Sequence, residues 1–163
     1  MAKPTIYDFK LTSLQGETLD LSQFAGKPLL LVNTASKCGF TPQYEGLQAL
    51  WTGERERGLT VIGIPSNNFG RQEPGDANDI GAFCSKNYGV SFPMTEKMQV
   101  RGPDAHPLFG WLGREGGMLS RPRWNFFKYI IARDGSLASW FSSITTPDSS
   151  RFRTAIDRVV LGG

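Results

Sequence analysis

The sequence predicts an α/β fold: a central mixed sheet flanked by helices, with a β-hairpin at the N-terminus. Three observations predict it. Two short apolar runs, Pro28-Leu29-Leu30-Leu31-Val32 and Leu59-Thr60-Val61-Ile62-Gly63-Ile64, are too short and too uniformly apolar for surface helices and read as strands buried on both faces. An amphipathic stretch separates them, and strand, helix, strand makes a right-handed crossover with parallel strands. Further on, Phe127-Lys128-Tyr129-Ile130-Ile131-Ala132 and Leu137-Ala138-Ser139-Trp140-Phe141 flank the turn Arg133-Asp134-Gly135-Ser136, which is an antiparallel hairpin.

Residues 6–21 read as the N-terminal hairpin. Tyr7, Phe9 and Leu11 alternate with Asp8 and Lys10, Gln15-Gly16 is a turn signal, and Leu19 and Leu21 alternate again. After the first buried strand, Thr41 is a good N-cap and Pro42 a good first helical residue. Tyr44, Leu47, Leu50 and Trp51 then share one helical stripe, and Gly58 is the natural stop. The second strand leads into a long irregular loop over residues 65–75. Asp76 caps the next helix, with Asp79 as a capping-box partner, Ile80, Phe83 and Cys84 on one face, and Gly89 at its end. Residues 90–94 are extended. Residues 104–113 form a third helix with Leu108, Phe109 and Leu112 as its apolar side, and residues 113–123 a Gly-rich basic loop. A closing helix begins near Pro147 and turns Phe152, Ile156 and Val159 or Val160 inward. Stripped of its additions, this order is that of a thioredoxin-like fold.

With 163 residues and no internal repeat or dividing linker, the chain is expected to form one domain over residues 1–163. A hydrophobic content of 39% and a charged content of 20% fit a water-soluble globular protein. The net charge of +3 is spread along the chain, so no basic run argues for nucleic acid. No apolar run approaches the roughly 18 residues of a membrane helix, and the N-terminus lacks the apolar core of a secretory signal, which makes the cytoplasm the expected location. Two cysteines are not a secreted disulfide framework, and with the single histidine they do not make a metal site. Gly26-Lys27-Pro28 is no phosphate loop, since Pro28 stands where that motif needs Ser or Thr. His106, between Ala105 and Pro107 at a helix start, reads as structural.

The chemistry points to Cys38. It lies between the first buried strand and the N-terminus of the helix behind it, with Lys37 alongside. Unpaired N–H groups and the helix dipole favour negative charge there, which is what a nucleophilic thiol needs. A buried inert cysteine is the competing reading. Sites in such folds form where strands end and helices begin, and the 65–75 loop leaves its strand at the same edge. The Cys-x-x-Cys pair of disulfide oxidoreductases is absent, because the sequence runs Cys38-Gly39-Phe40-Thr41. One thiol at that place suggests a nucleophile that attacks something other than a disulfide.

Asn33-Thr34-Ala35-Ser36-Lys37-Cys38-Gly39-Phe40-Thr41 closely resembles the active-site segment of the glutathione peroxidase family. Asn67-Asn68-Phe69-Gly70-Arg71-Gln72-Glu73-Pro74 resembles its second motif and Arg123-Trp124-Asn125-Phe126-Phe127-Lys128 its third. The cysteine usual in the second motif is replaced by Ser66, a position taken as structural. The resemblance implies a catalytic set of Cys38, Gln72, Trp124 and Asn125, with no cofactor and no metal. Cys38 would attack the terminal oxygen of a hydroperoxide and become a sulfenic acid. Gln72, Trp124 and Asn125 are neutral donors, able to hold a thiolate or a leaving oxyanion without consuming a proton.

The segment around Cys84 resembles the resolving-cysteine segment of the two-cysteine, thioredoxin-dependent, non-selenium members. The resemblance therefore implies a Cys38–Cys84 disulfide recycled by thioredoxin or a similar dithiol protein. Glutathione as direct reductant, or a peroxide sensor that passes oxidation to a partner protein, remain alternatives. Cys84 shares an apolar stripe with Ile80 and Phe83, so residues 76–88 are expected to unwind locally once Cys38 is oxidised. The short stretch between Trp111 and Trp124, where tetrameric members carry an insertion, implies a monomer whose open site admits organic and lipid hydroperoxides.

Overall fold

The computed structural model describes residues 3–71, 73 and 75–162. Its centre is a four-stranded sheet in the order β4-β3-β5-β6. Here β3 is Leu29–Thr34, β4 Thr60–Pro65, β5 Lys128–Ile131 and β6 Leu137–Phe141. β3 pairs parallel with β4 and antiparallel with β5, and β5 pairs antiparallel with β6. All six residues of β3 are buried, as a strand with neighbours on both edges and cover on both faces requires. A separate antiparallel hairpin joins β1 (Lys10–Thr12) to β2 (Thr18–Asp20).

Side chains alternate across a strand, so each central strand feeds two cores. Leu30 and Val32 join Tyr44, Leu47 and Leu50 of α1 (Gln43–Glu54), Ile80 and Cys84 of α2 (Ala77–Tyr88), and Phe152, Ile156 and Val159 of α4 (Ser150–Val160). Leu29 and Leu31 join Leu108, Phe109, Trp111 and Leu112 of α3 (Pro107–Gly116), together with Leu11 and Leu21 of the hairpin region. The apolar stripes expected on the four helices therefore face the cores, with Trp51 of α1 and Phe83 of α2 only half-buried at their edges.

Register positions the site. Thr34 pairs with Pro65 at the last step of β3 and β4, and Val32 pairs with Lys128 at the first step of β5. The chain thus leaves β3 and β4, and enters β5, at one end of the sheet. The Cys38 segment, the loop after β4 and the Trp124 segment are brought to that end by topology alone.

Several elements differ from expectation, each for a local reason. Tyr7 is not in a strand: residues Ile6–Asp8 wind into a 3-10 turn that Thr5 and Asp8 close as a capping box. The Tyr7 hydroxyl spans to the carbonyls of Lys27 and Arg133. α1 begins at Gln43, and Thr41 does not cap it; its hydroxyl serves Cys38 instead. α3 starts at Pro107 and not at residue 104, because His106 provides the cap through Nδ1 to the Leu108 amide. His106 Nε2 lies 3.1 Å from the Lys10 carbonyl, so this ring ties helix to hairpin, the structural role expected of it. The capping box of Asp76 and Asp79 on α2 forms as the sequence indicates, and Gly89 stops the helix at φ 61°.

Candidate active site

Cys38 sits in the turn between β3 and α1. Its amide donates to Thr41 Oγ1 at 2.8 Å, and Thr41 Oγ1 donates in turn to the Ala35 carbonyl at 2.8 Å. This hydroxyl stitches the loop into a tight curl ahead of the helix. The Phe40 amide points at Cys38 Sγ from 3.4 Å, a main-chain donor aimed at the sulfur. A main-chain N–H in that position is a neutral hydrogen-bond donor to whatever charge the sulfur carries during reaction. Cys38 keeps 8% of its surface open to solvent, whereas Cys84 keeps 1%. Both are free thiols. The first keeps a small opening to solvent, and the second is almost fully covered, at the floor of a cavity of about 310 Å³ between α2 and residues 90–94.

Trp124 is half-buried and packs against both cores, with its ring 5.9 Å from that of Phe69 in the loop after β4. Asn125 is fully enclosed, and its carbonyl accepts from Ser143 Oγ at 2.5 Å. Both belong to the segment that enters β5 beside the exit of β3. Gln72 lies outside the described residues. Ser66, where the resemblance led one to look for a cysteine, is buried and holds its own loop: Oγ donates to Asn68 Oδ1 and accepts from the Asn68 amide.

Cys84 lies on the inner face of α2 in the same buried cluster as Cys38. Burial pushes its thiol up to about 11, a neighbouring Tyr44 hydroxyl opposes this, and the nearby Glu73 charge adds to it. At neutral pH it is therefore a protonated, inert thiol while the helix stays folded. Glu73 is itself 1% exposed, and its Oε2 has no hydrogen-bond partner among the described residues. Burial raises its carboxyl, while the Ser36 hydroxyl and amide and the Lys97 charge pull it back. Ser36, Lys37, Glu73, Ile80 and Phe83 line a cavity of about 350 Å³ between the Cys38 loop and α2. Nothing in the sequence marked Glu73 as a buried acid, because loop carboxylates are ordinarily solvated.

A second buried ionisable group underlies the site. Lys128, the first residue of β5, has no exposed surface. Its Nζ reaches the carbonyls of Ser142 and Ser143 at 3.3 and 3.4 Å, and Gln43 Nε2 donates to the same Ser143 carbonyl at 2.7 Å. Burial lowers its ammonium to about 7. Among the described residues no group of His, Cys, Asp and Glu could hold a metal, and no helix is long and apolar enough to cross a membrane.

A mixed four-stranded sheet between helices, with one thiol in the turn ahead of the first crossover helix, defines a thiol-bearing protein of thioredoxin-like fold. The apo crystal structure of Trgpx shares that fold, with a TM-score of 0.78 at 36% identity over 98% of this chain and 97% of that one. Residues 6–113 match the family described as "Glutathione peroxidase". The "Hydroperoxy fatty acid reductase gpx1" of Synechocystis sp. is 47% identical over 155 residues, 90% of this chain and 92% of that protein. The "Glutathione peroxidase-like peroxiredoxin GPX5" of Chlamydomonas reinhardtii is 46% identical over 151 residues, 91% of this chain and 93% of that protein. The chain belongs to the glutathione peroxidase family.

Proposed function

We propose that this protein is a thiol peroxidase that reduces hydrogen peroxide and organic or lipid hydroperoxides. The observation that carries the reading is the placement of Cys38, with the Phe40 amide aimed at its sulfur, at the sheet end where the Trp124–Asn125 segment arrives. Cys38 thiolate attacks the terminal peroxide oxygen. The O–O bond breaks, the leaving alkoxide takes a proton, and Cys38 is left as a sulfenic acid. Asn125 and Trp124, with Gln72, supply neutral donors for the charge that develops.

Cys84 then resolves the sulfenic acid: its sulfur bonds to that of Cys38, its proton leaves with the sulfenic hydroxyl as water, and a disulfide remains. The buried, protonated state of Cys84 supports a step in which α2 opens locally before the sulfurs meet. A dithiol protein of the thioredoxin type returns both thiols. The setting proposed is a cytoplasmic monomer acting as one domain.

The test is steady-state peroxide turnover with thioredoxin and its reductase, and separately with glutathione. Wild type, Cys38→Ser and Cys84→Ser are compared. The reading requires that Cys38→Ser be inactive with every reductant and that Cys84→Ser lose thioredoxin-driven turnover. Full thioredoxin activity in Cys84→Ser would overturn the two-cysteine scheme. Glutathione-driven turnover at least equal to that with thioredoxin would replace the reductant.

A further inference from the structure

We propose that Asn33, near the end of β3, is a positioning residue that fixes Trp124 and Asn125 relative to Cys38; the inference rests on the peroxidase reading. Asn33 is 1% exposed. Its side chain makes two hydrogen bonds to one short stretch of distant chain. Nδ2 donates to the Trp124 carbonyl at 2.8 Å, and Oδ1 accepts from the Phe127 amide at 2.9 Å. Its main-chain carbonyl accepts from the Phe126 amide at 2.6 Å. Three contacts from one residue therefore span residues 124–127, with Asn125 in the middle.

The contacts are needed because the stretch is bent. Phe126 has φ 64°, a left-handed conformation that a non-glycine residue adopts only under constraint. The regular β3–β5 ladder ends at the pair Val32 and Lys128. Beyond that pair the bend lifts the chain off the ladder, and the Asn33 amide takes over as acceptor for Phe127 and as donor to Trp124. Ser143 holds the next carbonyl, that of Asn125. Phe126 is fully buried, its ring meeting Tyr44 edge-on at 5.3 Å, which locks the bend from the core side.

The residue type follows from this geometry. Asparagine offers a planar donor and acceptor on a short stem. Aspartate would keep the acceptor for Phe127 but set a carboxylate oxygen against the Trp124 carbonyl. Alanine would supply neither group. Because β3 runs directly into the Cys38 turn, Asn33 links the nucleophile's strand to the donors' strand. An error in their relative placement of about 1 Å costs on the order of 100-fold in rate.

The test uses Asn33→Asp and Asn33→Ala in a Cys84→Ser parent, so that oxidation stops at the Cys38 sulfenic acid. Two rates are measured in each folded protein: Cys38 oxidation by hydrogen peroxide, by quenched flow and mass spectrometry, and Cys38 alkylation by iodoacetamide. Peroxide oxidation is expected to fall roughly 100-fold in both variants, while alkylation, which expels iodide and leaves no oxyanion for the donors to hold, and whose thiolate keeps the Phe40 amide, changes by less than about threefold. A parallel fall in both rates, or no fall in either, overturns the inference. A parent whose Cys38 does not react with peroxide overturns the peroxidase reading and this inference with it; a reactive parent with equally reactive variants overturns this inference alone. Amide exchange in the unsubstituted protein decides the matter if the variants do not fold. The Phe127 amide, held by the Asn33 side chain, is expected to exchange as slowly as its β5 neighbours, and exchange at the rate of an open loop overturns the clamp.

Discussion

Methionine in place of Lys128 would remove a fully buried amine held by two long carbonyl contacts while keeping an unbranched stem of similar length. The ammonium titrates at about 7 in the folded protein against 10.5 for an unburied lysine. Between those values the unfolded chain binds a proton that the folded chain does not, so stability rises with pH across that window. Below about pH 7 both states are protonated and the full cost of the buried charge is present, ~5 kcal/mol at 1.36 kcal/mol per pH unit. Against this, methionine gives up two weak hydrogen bonds. The Ser143 carbonyl keeps Gln43, so the loss falls mainly on Ser142 and amounts to about 1 kcal/mol. Lys128→Met is therefore expected to be more stable than wild type by roughly 3–4 kcal/mol at pH 6, and equal or slightly less stable near pH 10.5. Urea unfolding of both proteins, reduced, at pH 6, 8 and 10 measures the difference. The raised Cys84 thiol affects alkaline stability in both proteins alike and cancels. A stability difference that does not change with pH, or a Lys128→Met protein weaker at pH 6, would refute the reasoning.

Thr41→Val removes the hydroxyl that holds the Cys38 amide and the Ala35 carbonyl. It should cost about 1–3 kcal/mol of stability and slow the peroxide reaction of Cys38, both measurable on the purified variant. Asp76→Ala removes the α2 cap and weakens that helix by ~1 kcal/mol. If α2 must open for Cys84 to reach Cys38, disulfide formation after a peroxide pulse should accelerate about fivefold, and an unchanged rate would argue against opening. In Cys38→Ser, alkylation of Cys84 should be slow at pH 7 and climb towards a midpoint of about 11; a midpoint at the free-thiol value would show that the thiol is not buried in solution.

The parts of the fold that were legible in the sequence are those set by local chemistry. The uniform apolar runs gave β3 and β4, the 3.6-residue stripes gave the inner faces of the helices, and Asp76 with Asp79 gave the start of α2. Of the site, Cys38 was legible from its place between a buried strand and a helix start, whereas Gln72, Trp124 and Asn125 were legible only where a motif named them. What escaped depends on distant pairing. Tyr7 sits in an alternating stretch, yet its hydroxyl is claimed by carbonyls of Lys27 and Arg133 and the chain coils to deliver it. Thr41 is a residue type that caps helices, but its hydroxyl is taken by the Cys38 amide and the Ala35 carbonyl, while the amides of Gln43, Tyr44 and Glu45 find main-chain carbonyls. In the sequence Asn33 is only the first residue of a motif, and its hydrogen bonds exist only once β5 is beside it. Lys128 and Glu73 carry no sequence sign of being buried, since burial is decided by the elements that close over them.

The most direct measurement is peptide mass spectrometry of the reduced protein after one equivalent of hydrogen peroxide. The account predicts a single linked peptide pair joining Cys38 to Cys84, and in Cys84→Ser a sulfenic acid on Cys38 that dimedone traps. Peroxide that leaves Cys38 as a free thiol while methionines or Cys84 are oxidised would contradict it.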